Sequence, residues 1–142
     1  MGHVAGSEID GRTIAYDLSL EGMLSQKKDF IGKRSLGRKA FTEEGREKIV
    51  GIVPIDKKTS IPEGSQIVKD TNVSLPIPKL GYVSASCWSV EFDNPFSLAI
   101  IKDGKNRIGE KLYAVSPLKN ISIPVEVVSQ HYVDPEGKRV RS

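Results

Sequence analysis

The sequence predicts a mainly β protein, a small Greek-key-type β-barrel that follows a short helical and irregular N-terminal extension. The length of 142 residues and the mass of 15.6 kDa fit one modest domain. From Lys48 onward, short β-type runs alternate with Gly, Pro, Asn and Asp, which is typical of an all-β sandwich or barrel. The chain before Lys48 is instead rich in turn residues and charge, so it is expected to lie outside the barrel.

Three segments follow from this change of pattern. Residues 1–28 form an arm, residues 29–47 a short helix or linker, and residues 48–142 the barrel. Asp29 is a plausible N-cap for the helix. Gly32 and Gly37 each weaken a helix by about 1 kcal/mol relative to Ala, so we expect two or three turns at most.

The predicted strands begin with Lys48–Ile55, a short run at Ser65–Lys69 and a longer one at Tyr82–Phe92. The apolar run Ser97–Lys102 precedes Asp103-Gly104, which favours a type I′ turn.

A hairpin is therefore predicted, with Leu112–Val115 as its second strand and a bulge or wider turn allowed by the intervening loop. The last strand alternates apolar and polar residues from Ile121 to Val127, so one face is buried. Pro124 in that strand indicates an edge strand or a bulge.

The charge distribution gives only weak support to a nucleic-acid surface. The net charge is 21 − 18 = +3 and the pI is near 9.0. Eight Lys and Arg lie between Lys27 and Lys48, interleaved with four acidic residues. A solvated helix or linker is favoured over an anion-binding surface, and nucleic acid is not an expected partner.

The cysteine and histidine content argues against several kinds of site. The one cysteine, Cys87, is expected to be a small buried residue. It could act as a nucleophile with His131 as its base only if the fold brings the two side chains together. His3 and His131 are far apart, so no metal site and no catalytic residue is predicted. No nucleotide-binding glycine fingerprint occurs.

The expected location is the cytoplasm, with no membrane partner. A lone cysteine cannot form an internal disulfide, and no charged-then-apolar leader begins the chain. No apolar run approaches the roughly 18 residues that cross a bilayer.

Two groups of motifs resemble a known family. Gly6–Asp10 and Lys28–Leu36 resemble the join between the folate-binding core and the C-terminal barrel of aminomethyltransferases, which include the glycine cleavage T-protein. A second group resembles the C-terminus of the family's sarcosine oxidase α-subunit branch: Gly81–Ser89, Leu98–Gly104, Arg107–Glu110 and Tyr132–Gly137.

This resemblance implies that the chain is the C-terminal part of a longer subunit and that its arm is the end of the folate-binding core. It implies a parent enzyme that oxidises sarcosine at a flavin in another subunit and captures the one-carbon unit on tetrahydrofolate in the core. Flavin and NAD belong to the parent complex, and the partners are the upstream core and the other sarcosine oxidase subunits. The chain alone is expected to be inactive.

Three residues in or near these motifs are candidates for tetrahydrofolate binding. Trp88 and Tyr132 offer flat rings and Lys28 offers a cation for the anionic tail. Packing in the core or between domains is favoured over ligand contact for the aromatics, and solvation is favoured for the lysine. Two other functions are considered: a stand-alone β-barrel module for an anionic partner such as RNA, and a free-standing folate-binding protein.

Overall fold

The computed structural model describes residues 7–71 and 78–141. His3, Gly6 and the rest of residues 1–6 of the predicted arm lie outside the described residues. The helices and strands are, in chain order, a 3-10 turn Glu21–Met23, α1 Lys33–Leu36, α2 Lys39–Thr42, β1 Glu47–Pro54, β2 Gln66–Val68, β3 Lys79–Ser89, β4 Asn94–Lys102, a 3-10 turn Gly104–Arg107, β5 Lys111–Ser116, a 3-10 turn Pro117–Lys119, β6 Ile121–Val128 and α3 Lys138–Arg141.

The six strands form a closed antiparallel barrel in the order β1-β4-β3-β2-β5-β6, and β6 pairs with β1 to complete it. Strands β2, β3 and β4 are neighbours in both sequence and space. Strand β1 lies beside β4 although a long connection separates it from β2, which is a Greek-key arrangement. The predicted fold class is confirmed.

The hairpin predicted between β4 and β5 is wrong. Strand β4 pairs with β1 and β3, whereas β5 pairs with β2 and β6. Asp103 has φ 53° and leads into the 3-10 turn rather than a type I′ turn. A Cβ at Gly104 would lie 2.9 Å from the Lys48 carbonyl oxygen, so Gly104 is required for close approach to β1. The tight hairpins are β3–β4 and β5–β6.

The N-terminal helix is shorter than predicted, and the N-cap proposed at Asp29 is wrong. Gly32, with φ 94°, precedes α1, and no side chain caps this helix. Gly37 ends α1, and Arg38 is extended before α2 begins. Gly32 thus sets the start of the first turn, and Gly37 with the extended Arg38 separates it from the second.

Strand β6 buries alternate residues, as predicted. It is not an edge strand, because β5 and β1 pair with it on its two sides without a register shift. The ladder between β1 and β6 runs from the pair Gly51–Val128 to the pair Pro54–Val125. Pro124, the next residue of β6, lies just outside that ladder. Pro124 therefore removes no N–H from that ladder, and its carbonyl accepts a hydrogen bond of 3.0 Å from the Ile55 amide.

The barrel interior is filled by aliphatic side chains from all six strands and from the β1–β2 connection. They are Val50, Ile52, Ile61, Ile67, Val83, Ala99, Ile101, Leu112, Ala114, Ile123, Val125 and Val127. Burying a side chain of this kind contributes about 1.5–3 kcal/mol. This cluster is the main core of the protein.

A second cluster covers the outer face of β1 and β4, and these two strands are buried on both sides. It consists of Leu18, Ile49, Val53, Phe96 and Leu98, with Leu20, Val128 and Tyr132 packed against them. A Cβ at Gly51 would lie 2.7 Å from both the Phe96 ring and the Ser129 carbonyl oxygen. Because Gly51 has no side chain, the Phe96 ring and the chain at Ser129 can lie directly against β1.

The arm is fixed to the barrel by an ion-pair cluster around Asp17, which is 5% exposed. The Asp17 carboxylate accepts hydrogen bonds from Arg46, from Lys48 Nζ at 3.2 Å and from the Ile14 amide at 3.1 Å. Its carbonyl accepts a bond of 2.7 Å from the Ile49 amide of β1. Burial of the carboxyl opposes ionisation, but these hydrogen bonds outweigh it and hold the pKa of Asp17 below its ordinary value.

Replacing Asp17 should therefore reduce stability in a pH-dependent way. A group whose pKa is lower in the folded state stabilises the fold above its unfolded pKa of about 3.9, and this contribution is lost as the pH falls through the folded value. We expect Asp17→Asn to lower the free energy of unfolding at pH 7 by about 2 kcal/mol, and by less at pH 3, in urea denaturation.

The matched control is Asp29→Asn, because Asp29 also forms an ion pair but its side chain is fully exposed. Its Oδ1 lies 3.5 Å from Lys33 Nζ. It should change stability by no more than about 0.5 kcal/mol at either pH. A loss for Asp17→Asn that is equal at pH 3 and pH 7 would contradict this account of the cluster.

Substitution of Gly81 should destabilise the barrel strongly. A Cβ at this position of β3 would lie 1.9 Å from the Ile100 carbonyl oxygen, which belongs to the β-ladder and cannot move aside. Gly81→Ala should lower the free energy of unfolding by at least about 2 kcal/mol. Gly22→Ala is the control, because a Cβ there meets nothing within 4 Å. Equal midpoints of chemical denaturation for the two variants would show that the close approach of β4 to Gly81 does not exclude a side chain at this position.

Candidate functional site

A cavity of about 480 Å³ lies on the outer face of the barrel, between the arm, the β3–β4 hairpin and the chain that follows β6. Among residues 7–71 and 78–141, its lining is mostly apolar and aromatic, with His131 as its one ionisable ring and no Lys, Arg, Asp or Glu. The lining residues are Leu20, Cys87, Ser89, Phe96, Leu98, Gln130, His131, Tyr132 and Val133. One predicted site residue, Tyr132, belongs to this set.

Tyr132 is held between two phenylalanine rings. Its ring stacks on Phe96 with a centroid separation of 5.0 Å and an interplanar angle of 15°, and the tilted ring of Phe92 is 4.5 Å away. The amide of Asn94 donates to its hydroxyl at 3.5 Å. Tyr132 thus packs the chain after β6 onto the hairpin and also forms one wall of the cavity.

Trp88 lies on the opposite face of the same hairpin. Cys87 pairs with Phe96 and shares its face, so the next residue in the strand, Trp88, points to the other side. Its side chain is 51% exposed. Trp88 and Tyr132 therefore do not enclose one flat ligand between them.

Lys28 belongs to neither surface. It lies in the irregular segment before α1, where its amide donates to Ser25 Oγ at 2.9 Å and its carbonyl accepts from Lys33 Nζ at 3.0 Å. Its side chain is exposed, and Lys28 does not line the cavity beside Tyr132. The structure brings none of the three predicted residues into a common site.

Cys87 and His131 line the same cavity, although they are 44 positions apart in the sequence. The expectation that Cys87 is buried is wrong, because strand alternation after the irregularity between Val83 and Ala85 turns it to the outer face, where it is exposed. No hydrogen bond joins Cys87 to His131 among the described residues. The geometry thus gives the thiol no base.

Two amide oxygens close to Tyr132 are buried without a hydrogen-bond partner among the described residues, Oδ1 of Asn94 and Oε1 of Gln130. Asn94 is 3% exposed. The Gln130 amide is oriented by its own nitrogen, which donates to the Leu18 carbonyl at 3.2 Å. Sequence reasoning missed both residues, since no pattern marks an amide whose oxygen is left unpaired.

The Asp134-Pro135-Glu136-Gly137 motif has a structural role. Both carboxylate oxygens of Asp134 accept backbone hydrogen bonds of 2.9 Å, from Lys138 and Arg139 at the start of α3. The Arg139 guanidinium then donates to both carboxylate oxygens of Glu91, at 2.6 and 3.1 Å. The motif thus fixes the end of the chain to the loop of the β3–β4 hairpin, beside the cavity.

A smaller cavity of about 210 Å³ lies under the arm and is lined largely by polar residues that include Asp17 and Arg46. The Tyr82 hydroxyl donates to the Ser7 carbonyl at 2.7 Å, and Ser84 Oγ donates to the buried Glu8 carboxylate at 2.9 Å. Burial raises the pKa of Tyr82. These bonds join the arm to β3, and the Tyr82 and Ser84 hydroxyls thus have their partners within the chain.

Within residues 7–71 and 78–141, no three His, Cys, Asp or Glu side chains gather in a way that fits a metal ion. None of the helices in that part of the chain is both long enough and apolar enough to span a membrane.

Comparisons with known proteins identify relatives of the whole chain. It is 34% identical over 140 residues to the sarcosine oxidase subunit alpha of Rhizobium meliloti (strain 1021), covering 98% of this chain and 14% of that protein. It is 35% identical over 138 residues to the subunit of the same name from Corynebacterium sp. (strain P-1), covering 96% of this chain. The chain thus spans about a seventh (14%) of the length of these relatives.

The fold is also found in a solved structure. The aminomethyltransferase T of the glycine cleavage system from Bartonella henselae superposes with a TM-score of 0.65 and 18% identity, over 91% of this chain and 34% of that one. The family described as the glycine cleavage T-protein C-terminal barrel domain matches residues 47–134, which include all six strands. The chain therefore belongs to the glycine cleavage T-protein C-terminal barrel family.

Proposed function

We propose that the chain is the C-terminal barrel domain of a sarcosine oxidase α-like subunit. The observation that carries this proposal is identity of 34–35% to named α subunits over 96–98% of the chain. That span includes the arm and the tail, which is the part of the chain after β6 (residues 129–142), as well as the six strands. In this proposal residues 1–28 end a folate-binding core, residues 29–47 link it to the barrel, and residues 48–142 are the barrel.

The proposed parent enzyme oxidises the N-methyl group of sarcosine by two electrons, which a flavin in another subunit accepts. The one-carbon unit is then transferred to tetrahydrofolate in the core as methylenetetrahydrofolate, leaving glycine. This chain supplies no catalytic residue, and flavin and NAD are held elsewhere in the complex. Its part is to support the core that binds tetrahydrofolate and to contact neighbouring domains.

The exposed side chains of the β3–β4 hairpin suit such a contact. Trp88 is 51% exposed, Val90 90% and Phe92 47%, which is an unusual concentration of apolar surface at one hairpin tip. We propose that Trp88 packs against the preceding domain and that Lys28, on the linker side, faces it as a solvated cation. Tyr132 holds the tail in place and bounds the cavity.

The comparisons do not support the alternative of an RNA-binding module. The basic stretch before the barrel corresponds, in the proposed enzyme, to the link between core and barrel. Its exposed cations thus face a protein domain rather than a nucleic acid.

A chimeric enzyme tests the proposed function. In the Rhizobium meliloti α subunit, the 140 matching residues would be replaced by this chain and the enzyme assembled with its own partner subunits. We expect a soluble complex that oxidises sarcosine and forms methylenetetrahydrofolate within about tenfold of the parent rate.

The control is the same replacement with the barrel of the Bartonella henselae aminomethyltransferase T, which shares the fold at 18% identity to this chain and should support less activity. A folded chimera carrying this chain that is no more active than the control would argue against the proposal.

Substitutions of Trp88 and Tyr132 should distinguish a residue that contacts another domain from one that packs within this chain. Trp88→Ala should change the unfolding free energy of the isolated chain by less than about 1 kcal/mol, because half of the ring is already exposed. Tyr132→Ala should cost about 3 kcal/mol, because it removes a ring packed against Phe92 and Phe96.

In the chimera, Trp88→Ala should lower the melting temperature by several degrees. The measurements are urea denaturation of the isolated chain and calorimetric melting of the chimera. Trp88 would be a residue of the barrel core, and not of a domain contact, if its replacement destabilised the isolated chain as much as Tyr132→Ala does.

A further inference from the structure

We propose that the linker before the barrel docks on an acidic surface of the domain that precedes it in the α-like subunit. The docking residues are four exposed side chains, which we call the linker surface: Ile31, Arg34, Arg38 and Lys39. The inference rests on the proposed function, because that proposal supplies the preceding domain. What it adds is the chemistry of the contact and the residues that make it.

The cations of the linker are separated from its acidic residues. Residues 31–42 contain four Lys and Arg and no Asp or Glu, and the nearest acidic residues, Asp29 and Glu43, lie outside them. One of the four cations, Lys33, is used within the chain, because its Nζ donates to two backbone carbonyls at 3.0 and 3.3 Å and lies 3.5 Å from Asp29. In the part of the chain that the structure describes, no ion pair or side-chain hydrogen bond involves the other three, Arg34, Arg38 and Lys39.

The linker presents these cations on a packed support. Lys33 and Leu36 of α1 are half-buried and line a cavity of about 300 Å³ together with Tyr16 of the arm. Arg34 lies on another side of the same turn, because successive residues of a helix are about 100° apart, and it is exposed. The arm thus covers one side of the linker, and the cations lie on the side that it leaves open.

Ile31 gives the linker surface an apolar centre. Its side chain is fully exposed, directly before Gly32, where α1 begins. A single exposed aliphatic residue is common, but an apolar residue beside unpaired cations is the composition of a protein interface, with its apolar centre and polar rim.

The aromatic rings of the linker are not available for stacking on nucleic-acid bases. Phe30 is half-buried and lines the cavity under the linker. The Phe41 ring is covered by the guanidinium of Arg46, whose central carbon lies 5.4 Å from the ring centroid. Proteins that bind single strands without sequence preference combine cations with such rings, so the linker surface fits a protein partner better.

The three unpaired cations determine the charge of the partner surface. A cation that enters an interface loses hydration, and this loss is offset when a carboxylate faces it. Two of the three are arginines, whose planar guanidinium groups pair with carboxylates through two parallel hydrogen bonds. The partner surface is therefore rich in Asp and Glu around a depression that receives Ile31.

The connection of the linker to the arm favours the preceding domain as the partner. Arg46 donates to the carbonyl of Ala40 in α2 at 2.8 Å and to the carbonyl of Arg12 in the arm at 3.0 Å, so the two segments move as one unit. In the proposed subunit the arm continues directly into the preceding domain. A contact between that domain and the linker is intramolecular, so it forms at a high effective concentration.

A charge reversal tests the proposal in the chimeric α subunit. The linker variant combines Arg34→Glu, Arg38→Glu and Lys39→Glu, and the control variant combines Lys58→Glu, Lys111→Glu and Lys119→Glu, which are also exposed. In about 50 mM salt, the linker variant of the chimera should melt at least about 3 °C below the control variant. The difference should fall by more than half in about 500 mM salt, because salt screens the contact. In the isolated chain the two variants should melt within about 1 °C of each other.

A neutral substitution tests the apolar centre separately. Ile31→Ser should lower the melting temperature of the chimera by about 2 °C or more at both salt concentrations. Leu118→Ser is its matched control, because Leu118 is as exposed as Ile31 but lies in the turn between β5 and β6. It should leave the melting temperature within about 1 °C of the unsubstituted chimera.

Three results would overturn the proposal. Equal melting of the linker and control variants of the chimera would show that the linker surface makes no such contact. The proposed function would still stand in that case, because it is judged by the activity of the unsubstituted chimera. A loss of stability seen only when the partner subunits are bound would assign the surface to another subunit. Salt-sensitive binding of the isolated chain to single-stranded RNA, abolished in the linker variant, would assign it to nucleic acid.

Discussion

The structure depends on burial of both faces of β1 and β4. A strand that faces only a barrel interior alternates buried and exposed residues, as β6 does, but β1 and β4 are buried at nearly every residue. Their outer face therefore needs a cover, which the arm provides through Leu18 and the tail through Tyr132. Three features hold that cover against the sheet. Asp17 forms ion pairs with Arg46 and Lys48, Gly51 leaves room for the Phe96 ring, and Asp134 accepts hydrogen bonds from the start of α3.

The positions of most strands and the alternation of β6 were predictable, because short-range patterns of apolar residues determine them. The pairing of β4 was not, since the Asp103-Gly104 pair gives a local preference for a hairpin while closure of the barrel places β4 between β1 and β3. Asp29 failed as a cap for a similar reason. Its local preference competes with Gly32, whose left-handed backbone begins the helix three residues later.

The site was less predictable than the fold. The motifs singled out Tyr132, which lines the cavity, but the sequence could not place Trp88 and Tyr132 on opposite faces. The irregularity between Val83 and Ala85 sets which residues of β3 point outward. Cys87 lies on the outside for the same reason. The unpaired oxygen of Gln130 depends on a contact with Leu18, 112 positions away, which no local pattern contains. Sites assembled from the arm, a hairpin and the tail require coordinates.

The central claim, that the arm and tail are parts of the barrel and not appendages, can be tested directly by measuring the unfolding of a chain shortened to residues 47–134, the part that the family shares. The shortened chain keeps Tyr132 but lacks Asp17, Leu18 and Leu20 of the arm and the α3 turn that holds Asp134, so the part of the outer sheet face that the arm covers is exposed. Calorimetry should show a loss of cooperative unfolding, or self-association, compared with the whole chain. A monomer that melts cooperatively at the same temperature as the whole chain would contradict the account.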